Sequence, residues 1–153
     1  LDSMRIILEE LKSLQEHFSE GRYYFYNQNW GNYYFESRKY ALAAEYFFKA
    51  LKVAKDLKMS DSRATVLMLL GRNYRMYGQL STAEKFAKES YDFSKNNGLI
   101  YEESEALVEL ITILEIKKDF QGAYEYAKLL SEIEKEIYDL QKIQKVEQIE
   151  GQL

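Results

Sequence analysis

The sequence predicts an all-α protein, a solenoid of antiparallel helix hairpins that ends in one long helix. Two observations support this fold class: apolar residues recur at helical rather than alternating spacing, and a set of positions repeats every 40 residues. The chain of 153 residues contains no proline and only seven glycines, so no Pro/Gly-rich linker divides it. We therefore expect a single domain over residues 1–153.

Small residues mark the period. Ala43, Ala83 and Ala123 share one position of the repeat, and Gly31 and Gly71 share another. Small side chains at these positions allow two helices to approach closely, because larger ones would force them apart. Large residues keep the same register, in the triplets Tyr40, Leu80, Phe120; Tyr46, Phe86, Tyr126; and Trp30, Leu70, Leu110. Since one hairpin cannot bury its apolar face alone, the repeats are expected to stack.

Each repeat is predicted to contain two helices of roughly 15–18 residues joined by a tight turn. The hairpins are expected at 22–38 with 40–57, 61–77 with 80–96, and 101–117 with 120 onward, in repeats bounded at 21–58, 60–98 and 100–138. Gly21, Gly78 and the Asn-Asn-Gly run at 96–98 are interpreted as helix stops, since Gly and Asn tolerate a left-handed cap. Ser81 and Glu84 form a capping-box pattern at a helix start.

Both ends of the chain are predicted to be helical. Residues 1–20 are interpreted as the second helix of a preceding or capping hairpin, with an apolar stripe of Ile7, Leu11, Leu14 and Phe18. No stop signal follows residue 120, and a helix of about 34 residues would reach about 51 Å. Two readings stay open for its extension, 139–153: a cap folded over the solenoid, or the start of a coiled coil. The coiled coil is favoured, because a pattern cut off in the middle suggests a fragment of a longer protein.

The repeat resembles the tetratricopeptide repeat. Residues 30–34 and 70–74 read Trp/Leu-Gly-x-x-Tyr, and the segments from Ala43 and Ala83 read Ala-x-x-x-Phe/Ala-x-x-Ala/Ser. The period of 40 residues exceeds the family's usual period of about 34, and the third repeat departs from the pattern at Ile111. The resemblance implies a right-handed superhelix whose first helices line a concave groove. Longer repeats of this kind resemble those of bacterial regulators, which implies a sensory or regulatory domain of a larger bacterial signalling protein.

Composition argues against several other functions. The net charge is −4, and the chain has no basic run, so direct binding of nucleic acid is not expected. No apolar stretch approaches the roughly 20 residues of a membrane-spanning helix. The chain has no cysteine and one histidine, His17, which we interpret as a surface or turn residue. We therefore predict no enzyme, no cofactor and no metal site.

The concave groove is the predicted binding site, for a peptide or a segment of a partner protein. Asn29 and Asn32 can bond to a peptide backbone, and Arg72 and Arg75 can hold a carboxylate. The alternative is that these are ordinary solvated residues with some aromatics in the packing. The predicted contact residues are Phe25, Gln28, Asn29, Asn32, Phe35, Met68, Arg72, Arg75 and Met76.

A second function is kept open, a homo-oligomerisation module without a dedicated ligand. The last helix would then hold a homodimer, and under the first function it would transmit the signal. Its predicted contact residues are Leu140, Ile143, Val146 and Ile149. A cytoplasmic location is expected, with a periplasmic sensory domain as the alternative.

Overall fold

The computed structural model describes residues 1–13 and 19–152, and this part of the chain consists of seven helices without a strand. The helices are α1 (Asp2–Ser13), α2 (Glu20–Glu36), α3 (Tyr40–Asp56), α4 (Ser60–Met76), α5 (Leu80–Asn96), α6 (Ile100–Ile116) and α7 (Phe120–Glu150). The predicted fold class, an all-α solenoid of helix hairpins with a long last helix, is confirmed.

The helices from α2 to α7 start at a constant interval of 20 residues. Helices α2 to α6 have 17 residues each, which leaves three residues for every turn. The 40-residue repeat is therefore two helix-and-turn units of equal length. Every helix of the three hairpins begins within two residues of its predicted position.

All five turns have the same Schellman hydrogen bonds. In the first turn the amide N–H of Lys39 donates to the carbonyl of Tyr34 at 2.8 Å, and that of Arg38 donates to the carbonyl of Phe35 at 2.9 Å. The middle residue of each turn has a positive φ, as the motif requires. These residues are Arg38, Lys58, Gly78, Gly98 and Lys118, with φ between 53° and 83°. The predicted stops at Gly78 and 96–98 are confirmed.

Two other predicted helix signals are wrong. Gly21 lies in the first turn of α2 and does not end a helix. Ser81 and Glu84 lie inside α5, whose N-cap is Gln79 and lacks a side-chain capping bond. The physical reason is that the last residue of each Schellman turn is also the N-cap of the next helix, so the turn itself sets the helix start.

The hairpins form two layers. Successive first helices lie close together, α2 with α4 and α4 with α6, whereas successive second helices meet through long side chains, such as Phe48 with Phe86 and Tyr91 with Tyr126. A Cβ added at Gly31 would lie 2.5 Å from the ring of Phe47, and one added at Gly71 would lie 3.1 Å from the backbone nitrogen of Ala87. The glycines therefore allow the close approach within a hairpin that the sequence predicts.

Buried polar side chains tie neighbouring hairpins together. The hydroxyl of Tyr24 donates to the carbonyl of Ser62 at 2.9 Å, and burial raises the pKa of Tyr24 to about 12. The hydroxyl thus keeps its proton as a donor at every physiological pH. The side-chain amide of Asn73 donates to the carbonyl of Tyr40 at 2.9 Å. Both bonds join α4 to the first hairpin and fix the position of α4 beside α2.

Helix α1 packs less extensively than the others and runs along α2. Leu8 is buried against Tyr26 and Trp30, whereas Ile7 is exposed. The predicted apolar stripe is therefore wrong at Ile7, because the side of α1 that contacts α2 is centred on Leu8. Leu14, Phe18 and His17 lie outside the described residues.

Helix α7 has 31 residues without a break, which is about 46 Å at about 1.5 Å per residue. Its first half packs on α6 through Ile133 and Ile137. Residues 138–152 are all exposed. The second half therefore projects beyond the hairpin, and the reading of 139–153 as a cap folded over the solenoid is wrong.

Candidate functional site

The candidate site is the side of α2, α4 and α6 that the second helices leave uncovered, which we call the inner face. Residues 40 positions apart occupy equivalent places on these three helices, so their side chains line up in rows. The exposed and half-exposed members of the face are Phe25, Gln28, Asn29, Asn32, Phe35, Glu36, Leu69, Arg72, Arg75, Met76, Glu105, Val108, Thr112 and Glu115.

Met68 is the exception among the predicted contact residues. Its side chain is only 4% exposed, so it belongs to the core and offers a partner almost no surface. The prediction is wrong here because the exposed arc of α4 is narrower than that of α2 or α6. The equivalent residues are Gln28, which is half-exposed, and Val108, which is exposed.

The inner face is crossed by an ion cluster centred on Glu109. This carboxylate is 3% exposed, and it accepts a hydrogen bond from the Nε of Arg75. The Nη2 of Arg75 lies 3.4 Å from its second oxygen, and the Nε of Arg72 lies 3.4 Å from that same oxygen. A buried carboxylate is stable only with such partners. The cluster therefore joins α4 to α6.

This cluster changes what the two arginines can do. Both were predicted to hold a carboxylate of a partner, and the structure gives them a carboxylate of their own chain. The side chain of Arg75 is 20% exposed and that of Arg72 is 42% exposed. Arg72 alone keeps much of its guanidinium open to a second acceptor. The 40-residue period makes Glu109 equivalent to Leu69 of the same face, but it does not show that the carboxylate reaches the neighbouring helix.

The open hydrogen-bonding groups of the face lie on α2. Asn29 is exposed and Asn32 half-exposed, and neither side chain makes a hydrogen bond to another described residue. Asn32 borders two clefts. One, of about 350 Å³, is also lined by Phe35, Leu69 and Arg72. The other, of about 320 Å³, separates α1 from Asn29. The two amides are thus placed between openings that can admit another chain.

Apolar side chains flank the amides along the face. Phe25, Met76 and Val108 are about half exposed, one on each first helix. Phe35 is half-buried and packs edge-on against Tyr40, with ring centroids 5.9 Å apart. The face therefore combines hydrogen-bonding and apolar groups, the usual composition of a surface that binds an extended chain.

The projecting part of α7 carries the four predicted contact residues in exposed positions. They follow one another at intervals of three residues, from Leu140 to Ile149. Three residues turn a helix by about 300°, so each step moves the apolar position about 60° backwards around the axis. Leu140 and Ile149 consequently lie on opposite sides of the helix. The four residues do not form the single seam that a two-stranded coiled coil needs.

The comparison with known families agrees with the geometry of the hairpins. Residues 24–96 match the tetratricopeptide repeat. The match runs from α2 to the end of α5, so it covers the first two hairpins and not the third. In the tetratricopeptide repeat, paired helices generally serve as a scaffold for contacts between proteins, and no catalytic family is indicated for this chain.

One solved structure supports the fold over most of the chain. The crystal structure of BtubC (BKLC) from P. vanneervenii superposes on 90% of this chain with a TM-score of 0.78 and 20% sequence identity. The superposition covers 59% of BtubC, so this chain spans about three fifths of that protein. No curated protein matches the sequence significantly.

Two other kinds of site are absent from the described ranges, 1–13 and 19–152. There, no three acidic or histidine side chains converge in a way that could hold a metal ion. None of the helices in these ranges combines the length and the apolarity needed to cross a bilayer.

Proposed function

We propose that this chain is a protein-interaction module whose inner face holds an extended segment of a partner protein. One observation carries the proposal. Asn29 and Asn32 present amide groups that bond to no described residue, between two clefts on the layer formed by successive first helices. A side-chain amide has a donor and an acceptor, so it can pair with a backbone N–H and C=O of a bound chain.

The charges of the inner face favour a basic and apolar segment. Glu36, Glu105 and Glu115 are exposed and form no ion pair with another described residue. Arg72 and Arg75 are both directed at Glu109, so this cluster keeps one positive charge. Together with the three exposed carboxylates the face carries a net charge of −2, and it also presents the exposed Phe25, Met76 and Val108. A segment that alternates basic with apolar residues matches this surface in charge and in apolar contact.

A regulatory role in a larger bacterial signalling protein is the second part of the proposal. Helix α6 contributes to the inner face and packs along the first half of α7. A partner that shifts α6 would therefore also shift α7, whose second half projects away from the hairpins. Such coupling needs no membrane-embedded element and suits a cytoplasmic protein.

A display library of short random peptides tests the proposal without knowledge of the natural partner. We expect enriched peptides to be rich in basic and apolar residues. We expect the double variant Asn29→Ala/Asn32→Ala to bind them at least about fivefold more weakly, since each lost hydrogen bond is worth about 1 kcal/mol. Asn96→Ala is the matched control, because Asn96 is also exposed and lies away from the inner face, at the end of α5. Peptides that bind the double variant and the wild type equally would refute the proposal.

Homo-oligomerisation is the alternative, and the exposed apolar residues of α7 favour it. Light scattering over a concentration series, on the full chain and on a version ending at Tyr138, separates the two functions. A dimer that becomes monomeric on truncation supports assembly through α7. A monomer in both cases excludes that assembly and leaves the inner face as the functional surface.

A further inference from the structure

A third cleft lies away from the inner face, at the turn between α3 and α4. It has a volume of about 240 Å³. Its walls come from the end of α3, the start of α4 and the last turns of α5. The lining residues that matter are Lys55, Lys58, Ser60, Arg63, Phe93 and Asn97. Three of these six side chains are cations.

The cations of this cleft have no acidic partners. Lys55, Lys58 and Arg63 form no ion pair with any described residue. The guanidinium of Arg63 lies over the ring of Phe93, with Cζ 4.3 Å from the ring centroid. Its Nε is buried and has no hydrogen-bond acceptor. A buried donor without a partner is unfavourable, so an acceptor that approaches Arg63 would stabilise its position.

The start of α4 adds to the positive potential. The helix begins at Ser60, and its N-cap, Met59, provides no side-chain hydrogen bond. The free N–H groups and the positive end of the helix dipole favour an anion at this place. Two carboxylates are close in sequence. Asp61 is in the first turn but does not line the cleft, and Asp56 is bound to Lys52 at 2.8 Å.

The repeats provide an internal comparison. The equivalent cleft one repeat earlier, of about 370 Å³, is lined by Glu20, Tyr23 and Asp56, and none of its described lining residues is a cation. One repeat later, the position of Arg63 is taken by Glu103, and Ile100 packs with the core around Ile133. The fold therefore forms with acidic, apolar or basic residues at this place. Packing does not explain the three cations.

We propose that this cleft binds an anion of the phosphate class, either free phosphate or the phosphoryl group of a phosphorylated side chain. A phosphoryl group at neutral pH carries between one and two negative charges and three acceptor oxygens. The planar guanidinium of Arg63, held against Phe93, can donate to two of these oxygens. Lys55 and Lys58 supply charge at the rim, and the first N–H groups of α4 supply further donors. The inference is independent of the inner face, with which this cleft shares no residue.

The experiment is a titration of the full chain followed by NMR, with inorganic phosphate, phosphoserine flanked by blocked termini, and acetate. We expect phosphate and phosphoserine to shift the Nε–H signal of Arg63 and the amide signals of residues 60–62, and acetate at equal ionic strength to leave them unchanged. Tighter binding of phosphoserine would identify a phosphorylated protein as the source, and equal or weaker binding would identify the free ion. The absence of saturable shifts with both phosphate compounds would overturn the proposal.

Two variants decide whether the cleft itself is responsible. Arg63→Gln removes the charge and the guanidinium but keeps a polar side chain, and it is expected to weaken phosphate binding at least tenfold, with the helical circular dichroism unchanged. Lys95→Gln is the matched control, because Lys95 occupies the position of Lys55 one repeat later. An equal loss with both variants would show general charge attraction and overturn the site. Lys58→Gly, which fits the positive φ of 53° at that position, is expected to weaken binding while keeping the turn.

Discussion

Replacing Glu109 by Gln is the sharpest test of how the inner face is held together. The substitution keeps the shape of the side chain and removes its charge, which leaves Arg75 and Arg72 without a counter-ion. Removing one partner of a fully buried ion pair typically costs about 3–5 kcal/mol. Here Arg75 is 20% exposed and Arg72 42% exposed, so both regain some hydration, and the Gln oxygen still accepts one bond. We therefore expect a loss of about 2 kcal/mol.

For a chain of this length, about 2 kcal/mol corresponds to a decrease in Tm of about 4–8 °C. Thermal and urea unfolding followed by circular dichroism measure it. Arg75→Gln should cost more, about 3 kcal/mol, because it leaves the buried carboxylate with only the longer contact to Arg72. The double variant with both substitutions should be more stable than the sum of the two losses predicts, by about 1–2 kcal/mol.

Two outcomes would refute this reasoning. If Glu109→Gln changes the free energy of unfolding by less than about 0.5 kcal/mol, the ion pairs of Glu109 with the two arginines do not stabilise the fold. If the losses of the two single variants simply add in the double variant, the charges are not coupled. In either case Arg72 and Arg75 would be free for a partner, as the sequence alone predicts.

Three further predictions concern the turns, the helix contacts and the pH dependence. Lys118→Gly should stabilise the chain by about 1 kcal/mol, since Lys118 has a φ of 62°, and urea unfolding measures the gain. Gly31→Ala should destabilise by about 1–3 kcal/mol, because the new Cβ would lie 2.5 Å from the ring of Phe47, and Phe47→Leu should restore part of the loss in thermal unfolding. Burial raises the pKa of Glu103, so the native state holds this proton more tightly than the unfolded state. Stability from this group therefore increases as the pH falls from neutral through the raised pKa, and Glu103→Gln should be the more stable form at pH 7 and lose that gain once the pH is below the raised pKa.

Each of these predictions has a control or an opposing result. Lys128→Gly, inside α7, should destabilise by about 1 kcal/mol, and a stabilisation there would show that the gain at Lys118 is unrelated to φ. If Phe47→Leu does not rescue Gly31→Ala, the clash is not with the ring. If Glu103→Gln leaves the difference in stability between pH 7 and pH 5 unchanged, the burial of Glu103 does not perturb its titration.

The 40-residue period of the sequence allowed most of the fold to be predicted, and the conformational preferences of single residues contributed less. Gly78 and Gly98 are recognisable turn residues, whereas Arg38, Lys58 and Lys118 adopt the same conformation without any local signal. These three could be placed only because they lie 20 or 40 residues from the glycines. Local signals that conflicted with the period, such as Gly21, were misleading, because the stacking of whole hairpins outweighs the preference of one residue.

The candidate site was predictable in its position and not in its pairings. The amides of α2 are exposed where the helical pattern places them. The pairing of Glu109 with Arg75 and Arg72 spans 34 and 37 residues, which is less than one period, so it depends on how far one hairpin slides against the next. Side-chain packing between neighbouring hairpins determines that displacement. The spacing of residues in the sequence does not predict it.

The three-residue spacing at the end of α7 has a consequence for any helix that binds there. A row of side chains at intervals of three forms a ridge inclined at about 45° to the helix axis. A partner helix that follows this ridge must cross α7 steeply, and it can touch the apolar row over only two or three turns. Such a crossing buries little surface, so the end of α7 is better suited to reversible docking than to a permanent zipper.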